Sequence, residues 1–291
     1  MGVVIESPYQ RGGSLWLRGN LHAHTTNSDG RNPPQAVVDA YAALGYDFLM
    51  ISDHDYLTEP EPLSSRGMIL LRGNEITANG PHVLHVGASF VVPPAADRQE
   101  AIDGVLTDGG IAIVAHPNWE RDFNHCPHEL LNRWSGYAGI EVYNGVVRRL
   151  DGNPLATDRW DRLLSAERRI WGFAHDDSHR DEDIGQAWIM TRSEDRTSEA
   201  ITHSIACGAF YASTGVTVVD VSVGGATIYL ETEDAQQIAV VADHGRRIAK
   251  SDGKSLSFTV PADLDASYVR FECWGWGECM AWTQPFFISR R

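Results

Sequence analysis

The chain has 291 residues, and at roughly 100–200 residues per domain this length predicts two domains. A hydrophobic content of 43% with 22% charged residues is typical of a globular chain with a sizeable core. The formal net charge of −15 argues against a nucleic-acid clamp or a binder of anionic membranes, since both depend on basic surface.

The cysteines and the first residues favour a cytoplasmic protein. The four cysteines form no CxxC pair and no dense disulfide pattern, which indicates a reduced chain. Residues 1–11 lack the apolar core of a signal peptide, and no apolar run approaches the ~18 residues of a membrane span. We therefore expect a cytoplasmic protein without a membrane partner.

The first part of the chain alternates strand-like and helix-like segments. Strands are predicted over residues 15–21, 48–51, 68–71, 83–90, 111–115, 140–143, 169–173 and 187–191. Helices are predicted over residues 36–44, 98–106, 127–134, 157–164 and 198–207. This alternation favours a parallel α/β architecture.

From residue 216 onward the sequence predicts strands and no helix. They cover residues 216–223, 226–231, 237–242, 255–260, 268–273 and 279–288. Their spacing favours a small all-β sandwich. We therefore predict a first domain over residues 1–215 and a second over residues 216–291.

Histidines and acidic residues follow several predicted strands of the first domain. They lie at residues 22 and 24, 53–55, 75, 116 and 176–179. The carboxyl ends of parallel strands bring such groups to one edge of a sheet. Imidazoles and carboxylates together suit Zn²⁺, Mn²⁺ or Fe²⁺. The pattern therefore predicts a site for several metal ions.

The same residues occur in the order of a known family's motifs. Residues 19–30, GNLHAHTTNSDG, closely resemble the first motif of the PHP (polymerase and histidinol phosphatase) metallohydrolases. The later motifs are matched by SDHD at 52–55, GNEIT at 73–77, PHVL at 81–84, AHP at 115–117 and DSH at 177–179. The segments IEVYNG at 140–145 and FYASTG at 210–215 are similar to a branch that includes carbaryl-hydrolase-like enzymes.

This resemblance spans roughly residues 15–215 and implies both a fold and a metal site. The family fold is a distorted seven-stranded βα barrel, to which some members of this branch append a small β domain. Two or three divalent ions (Zn, Mn or Fe) would lie at the strand ends. The implied ligands are His22, His24, Asp29, His54, Glu75, His82, His116, Asp177 and His179.

Two of these ligand assignments, Glu75 and His82, can also be examined from the sequence without the resemblance. Residues 1–216 contain no lysine, so a carbamylated lysine of the amidohydrolase type cannot bridge two metals, and Glu75 is the expected bridge. His85 lies near His82 on the opposite strand face and stays an alternative to it. His125 has no motif context and is expected to be an ordinary surface or core histidine.

Three further residues are candidates for catalysis. His175 is a candidate acid for the leaving group. Asp53 is a candidate to orient an imidazole, and Asp55, on the other side of His54, is the alternative to it. Arg180 follows the last motif and, with Arg148 and Arg149, is placed to bind an anion at the mouth of the site.

The predicted activity is metal-dependent hydrolysis of a small phosphoester by a hydroxide that bridges the metals. One alternative is hydrolysis of a neutral carbamate or carboxylic ester, which would suit Trp119, Phe123 and Tyr143 near the expected mouth. Another is a non-catalytic binding protein with structural metals. A nucleic-acid polymer is not the expected partner because the chain is acidic.

Overall fold

The computed structural model describes residues 2–290, which form a mixed α/β fold of many strands and few helices. The strands are β1 (Val3–Glu6), β2 (Leu15–Asn20), β3 (Phe48–Met50), β4 (Ile69–Leu71), β5 (Gly73–Ile76), β6 (Val83–Val86), β7 (Ile111–Val114), β8 (Gly139–Asn144), β9 (Trp171–His175), β10 (Trp188–Ser193), β11 (Phe210–Ser213), β12 (Val218–Gly224), β13 (Thr227–Thr232), β14 (Gln237–Ala242), β15 (Arg246–Asp252), β16 (Ser255–Thr259), β17 (Tyr268–Trp274), β18 (Met280–Thr283) and β19 (Phe286–Arg290). The helices are α1 (Pro34–Ala43), α2 (Arg98–Thr107), α3 (His128–Arg133), α4 (Thr157–Ser165) and α5 (Ser198–Ala206). The predicted α/β class is confirmed.

The strands of the first part belong to two sheets that meet at polar residues. β2, β3 and β4 are parallel neighbours in one sheet, and β5 to β9 form the other. Parallel bridges pair His54 with Glu75 and Ala23 with Ser178, and so connect the two sheets in two places. The polar clusters that follow β2, β3 and β9 therefore lie next to one another.

The first part is not uniformly parallel, contrary to the prediction. β6 runs antiparallel to both β5 and β7, while β7, β8 and β9 are parallel. The cause is local, because only residues 77–82 separate β5 from β6, and a parallel pair needs a crossover of a dozen or more residues. The seven-stranded barrel stays a prediction.

The strands after residue 216 divide between two sheets. β12, β13 and β16 form a three-stranded sheet, whereas the others extend the large sheet through the pairing of β11 with β18. The strand predicted over 279–288 is two strands, β18 and β19, because Pro285 cannot donate a ladder hydrogen bond. The C-terminal sandwich and the boundary at 215/216 stay predictions.

A buried ion cluster joins the C-terminal strands to helix α4, and we call it the junction cluster. Arg270 on β17 donates to both carboxylate oxygens of Asp161 on α4, each at 2.8 Å, and to Glu272 at 2.9 Å. The Tyr268 hydroxyl also donates to Asp161, at 2.8 Å. Arg270 is only 1% exposed, so these bonds lie in the protein interior and hold α4 against β17.

The helices and the core follow ordinary local rules. Asp97 caps α2 by accepting from the Gln99 N–H, and Thr197 caps α5 by accepting from the Ala200 N–H. β7, with the sequence IAIV, is buried along its whole length, as its apolar run predicted. Within residues 2–290, no helix is long and apolar enough to cross a membrane.

Candidate metal centre

The predicted metal ligands converge at one edge of the sheets. His22 and His24 follow β2, His54 follows β3, His116 follows β7, and residues 177–179 follow β9. Glu75 was expected after the strand over 68–71, but it lies within the separate strand β5. Its position beside His54 in the bridge between the sheets still brings its side chain to the same edge.

His82 reaches this edge although it precedes its strand. β6 is antiparallel, so its first residue, Val83, pairs with Ile76 and Val114 at the ends of β5 and β7. His82 Nδ1 lies 3.0 Å from Glu75 Oε1. His85 points elsewhere, with its Nε2 3.3 Å from Asp108. The geometry therefore places His82, and not His85, among the other candidate ligands.

Glu75 lies at the centre of the cluster, buried and surrounded by five imidazoles. The distances from its carboxylate oxygens are 2.9 Å to His54 Nδ1, 3.0 Å to His82 Nδ1, 3.2 Å to His116 Nε2, 3.3 Å to His22 Nε2 and 3.5 Å to His24 Nε2. A carboxylate with nitrogens around both oxygens has the arrangement expected of a bridge between two cations.

Two other carboxylates complete the cluster. Asp177 Oδ1 lies 3.2 Å from His22 Nε2 and 3.1 Å from His24 Nε2. Asp29 Oδ1 lies 3.3 Å from His54 Nε2 and 3.2 Å from His179 Nε2. Groups of potential ligand atoms that lie within 4.8 Å of one another include His22–Glu75–His116, His22–His24–Asp177 and His24–Asp29–His54–His179.

Many of the converging atoms are buried without a hydrogen-bond partner. Within residues 2–290 these atoms are His22 Nε2, His24 Nδ1 and Nε2, His54 Nδ1, Glu75 Oε2 and Asp177 Oδ1. Leaving a buried polar group unsatisfied costs about 1–3 kcal/mol. Divalent cations would satisfy most of these atoms at once, so the donor set fits two or three metal ions.

At His22 and His54 the carboxylates outweigh burial, whereas burial lowers the pKa of His24 and His82. Burial opposes charge on the His22 ring, but Asp177 and Glu75 outweigh it and raise the pKa of His22 well above its ordinary value. Burial likewise lowers the pKa of His54, but Asp29 and Glu75 raise it to about 10. The carboxylates thus hold protons on these rings, and a bound cation would replace those protons.

Glu141 accepts hydrogen bonds from residues of the cluster and so holds them in position, a role that the sequence did not predict. One carboxylate oxygen accepts from His22 Nδ1 at 2.7 Å and from His175 Nδ1 at 2.9 Å. The other accepts from the His116 backbone N–H at 2.8 Å and from Asn144 Nδ2 at 2.7 Å. The IEVYNG segment was the available signal, since it marked Glu141 as part of a motif.

The three predicted catalytic residues occupy different environments. His175 is fully buried against Glu141. Asp53 is also buried, and accepts from the Thr25 N–H and hydroxyl, both at 2.7 Å, and from the Ser28 hydroxyl at 2.6 Å. Of the three, Arg180 lines the cavity above the cluster, and His175 and Asp53 do not.

That cavity has a volume of about 330 Å³ and opens onto the cluster. Its walls contain ligand candidates, arginines and apolar side chains: Asp29, Arg31, His54, His82, His116, Trp119, Val146, Val147, Arg149, Leu150, Asp177, His179 and Arg180. Arg148, expected at the mouth, instead pairs with Glu278 and Gln186 and does not line the cavity.

His125 lies beside the site, although it was expected to be an ordinary surface or core histidine. Its ring centroid is 4.5 Å from that of His82 and 4.9 Å from that of His116, and it packs on Trp119 at 4.8 Å. The His82 backbone N–H donates to His125 Nε2 at 3.1 Å. Burial and the neighbouring His116 and His82 lower the pKa of His125 to about 2, so the ring is neutral.

The chain matches no family model and no curated protein. Among solved structures, it is similar to a two-domain protein from Bacteroides vulgatus that contains a predicted PHP-like metal-dependent phosphoesterase, with a TM-score of 0.58 and 15% identity over 94% of this chain and 87% of that one. PsfC from Pseudomonas syringae gives a TM-score of 0.48 at 15% identity, covering 65% of this chain and 87% of that chain. The lesion-specific endonuclease PfuEndoQ from Pyrococcus furiosus gives 0.47 at 14% identity, covering 66% and 56%. At these identities a likeness concerns the fold alone, and the first of them supports the resemblance found in the motifs: the chain has a fold similar to that of the PHP-like protein.

Proposed function

We propose that the protein is a metal-dependent phosphoesterase. The observation that carries the proposal is the convergence of nine motif residues in one cluster, six of which line the cavity. Buried nitrogens and oxygens of this cluster lack partners within residues 2–290. Divalent ions held there would polarise a phosphoryl group and ionise water near neutral pH.

The proposed ligand assignment follows the three groups of facing atoms. His22, His24 and Asp177 would hold one ion, and Glu75 would bridge it to a second. His82 and His116 would complete the second site. Asp29, His54 and His179, which form the third group together with His24, would hold a third ion.

The reaction would add water across one ester bond. The water oxygen bonds to phosphorus, the P–O bond to the organic group breaks, and the departing alcohol takes a proton. Since His175 and Asp53 lie outside the cavity, we assign them positioning roles. His175 holds Glu141, and Asp53 holds the Thr25–Ser28 turn that precedes Asp29.

The proposal also includes the barrel and the second domain that the sequence predicted. We propose that β2, β3 and β5 to β9 correspond to the distorted seven-stranded barrel. The two bridges between the sheets, His54–Glu75 and Ala23–Ser178, support this arrangement. Residues 216–291 would be the appended β domain, held against α4 by the junction cluster.

The carbamate or carboxylic ester alternative has less support from the geometry. Of the three aromatic residues expected near the mouth, Trp119 lines the cavity. Tyr143 instead packs on Trp282 at 5.8 Å, and Phe123 lies on a neighbouring open groove. Three arginines on the cavity wall favour an anionic substrate over a neutral one.

The proposal is tested with purified protein from which metal has been removed. We expect p-nitrophenyl phosphate hydrolysis to return with Mn²⁺ or Zn²⁺ and to be absent in the variant Asp177→Asn. His244→Asn is the matched control, because His244 is exposed, lies outside the cluster and has a φ of 60° that asparagine tolerates. Hydrolysis of aryl carbamates but no phosphoester would overturn the proposal.

A further inference from the structure

We infer, on the basis of the proposed function, that the substrate is a phosphomonoester of a small, largely apolar alcohol or phenol. Arg31 and Arg180 would bind the phosphoryl oxygens that do not react. Trp119, Val147 and Leu150 would contact the organic group. The inference rests on how the charged and apolar residues of the cavity wall are arranged.

The cavity wall carries cationic groups that are free to bind an anion. Arg149 is already paired within the chain, because its Nε and Nη2 both donate to Asp183 at 2.7 Å. Arg180 pairs through Nε with Glu182 at 3.5 Å and with Asp183 at 3.6 Å. Its two Nη groups form no hydrogen bond within residues 2–290, so they are the part of the side chain available to an anion.

Arg31 is the second available cation. Its backbone N–H donates to the His179 carbonyl at 2.8 Å, which fixes Arg31 beside the third group of candidate ligands. Its guanidinium forms no salt bridge within residues 2–290. Arg31 and Arg180 thus flank the segment that carries His179, and a guanidinium can bind two phosphoryl oxygens at once.

The apolar residues of the wall form one continuous surface. Val146, Val147 and Leu150 come from a single segment, and a β-bridge between Trp119 and Gly152 places Trp119 next to that segment. A phosphodiester would need room for two organic groups, but the wall offers one apolar surface. The volume of about 330 Å³ is at the lower end of small-ligand pockets, which span roughly 300–1,000 Å³.

Charge also favours the monoester. Near neutral pH a phosphomonoester carries up to two negative charges, because its second pKa lies at about 6, whereas a diester carries one. The guanidinium of Arg31 and the Nη groups of Arg180, in addition to the metals, match the greater charge. The structure therefore assigns discrimination between monoester and diester to Arg31 and Arg180.

The test compares substrates and variants in the metal-loaded protein. The substrates are p-nitrophenyl phosphate, bis(p-nitrophenyl) phosphate and glycerol 2-phosphate, and inorganic phosphate serves as an inhibitor. In Arg31→Ala and Arg180→Ala we expect KM for p-nitrophenyl phosphate and Ki for phosphate to rise about 10- to 100-fold, since charged hydrogen bonds are lost. KM for the diester should change far less.

Two controls separate binding from damage to the site. Arg196→Ala removes an exposed arginine that pairs with Asp47 outside the cavity, and should leave every constant unchanged. Leu150→Ser should raise KM for p-nitrophenyl phosphate several-fold without changing that for glycerol 2-phosphate or Ki for phosphate. Metal content, measured by mass spectrometry, should be the same in all variants.

The results that would overturn the inference are distinct from failure of the proposed function. A wild-type preference for the diester, or arginine variants that leave Ki for phosphate unchanged, would contradict the monoester assignment. If no phosphoester is hydrolysed, the proposed function is wrong. In that case, calorimetric titration of phosphate into the metal-loaded wild type and into Arg180→Ala tests whether Arg180 binds an anion. Equal affinities of the two proteins for phosphate would refute that role.

Discussion

Two buried clusters of charged residues lie in this molecule, and they differ in how their polar atoms are satisfied. In the junction cluster, all three guanidinium nitrogens of Arg270 donate to carboxylates, and both oxygens of Asp161 accept. In the metal centre, facing nitrogens and oxygens lack partners within residues 2–290. The first cluster is complete within the chain, whereas the second needs something that the chain does not supply.

The charges of the two clusters, by contrast, behave alike. Burial opposes the charge on Arg270, but Asp161 and Glu272 outweigh it and raise its pKa above the ordinary value. At the metal centre the carboxylates raise the pKa of His22, so protons occupy positions that suit cations. Burial of charge alone is therefore a poor sign of function, and unpartnered atoms are a better one.

The largest expected effect comes from changing the central carboxylate of the metal centre. In Glu75→Gln we expect activity to fall to background and the rise in Tm on adding Mn²⁺ to disappear, because the bridging charge is lost. Thermal scans with and without metal, together with metal analysis, measure this. Asp161→Asn should keep both the activity and the metal-dependent shift, and a loss of metal in that variant would show that the two clusters are not independent.

The second largest expected effect is a loss of stability when the junction cluster is broken. Asp161→Asn leaves Arg270 buried with only Glu272 as a charged partner, and breaking a buried pair in this way costs about 3–5 kcal/mol of unfolding free energy. Urea unfolding of the metal-free protein measures the change. The double variant Asp161→Leu/Arg270→Met should recover part of the loss, because it removes both charges. A single variant as stable as the wild type would contradict the account of the junction.

The sequence predicted which residues converge in the candidate metal centre better than it predicted their surroundings, for a physical reason. Candidate ligands such as His22 and His24 lie in short motifs at strand ends, where the local pattern alone determines which edge they reach. The junction depends on Asp161 and Arg270, which are 109 residues apart, and no local pattern connects them. The strand direction of β6, which brings His82 to the site, likewise depends on a pairing that the alternation did not reveal.

The contacts of Glu141 and His175, which position the candidate ligands, were also not predictable from the sequence. Glu141 was recognised as part of a motif, but its contacts with His22 and His175 join residues from three different strand regions. His175 was a candidate acid for the leaving group, yet the side chain at that strand position is fully buried. Burial of this kind follows from packing between strands, which sequence position alone does not determine.

The third effect tests whether Glu141 positions the ligands. In Glu141→Gln the acceptor for His22 Nδ1 loses its charge, and we expect metal affinity to fall about 10- to 100-fold. Competition with a chromogenic chelator measures the affinity directly. His175→Asn, which removes a second donor to Glu141, should cause a smaller loss in the same direction. Unchanged affinity in Glu141→Gln would limit Glu141 to a packing role.

The smallest effect comes from an arginine–carboxylate pair at the surface. Arg169 Nη1 lies 2.8 Å from Glu6 Oε2, which equals the distance between Arg270 and Asp161 in the junction cluster. The side chains of Arg169 and Glu6, however, are 57% and 43% exposed. Water and salt screen such a pair, so Glu6→Gln should cost at most about 1 kcal/mol. Urea unfolding at low and high salt measures this, and the difference from wild type should vanish at high salt, whereas that of Asp161→Asn should persist. If the two variants responded alike to salt, burial would not be what separates the junction cluster from ordinary surface charge.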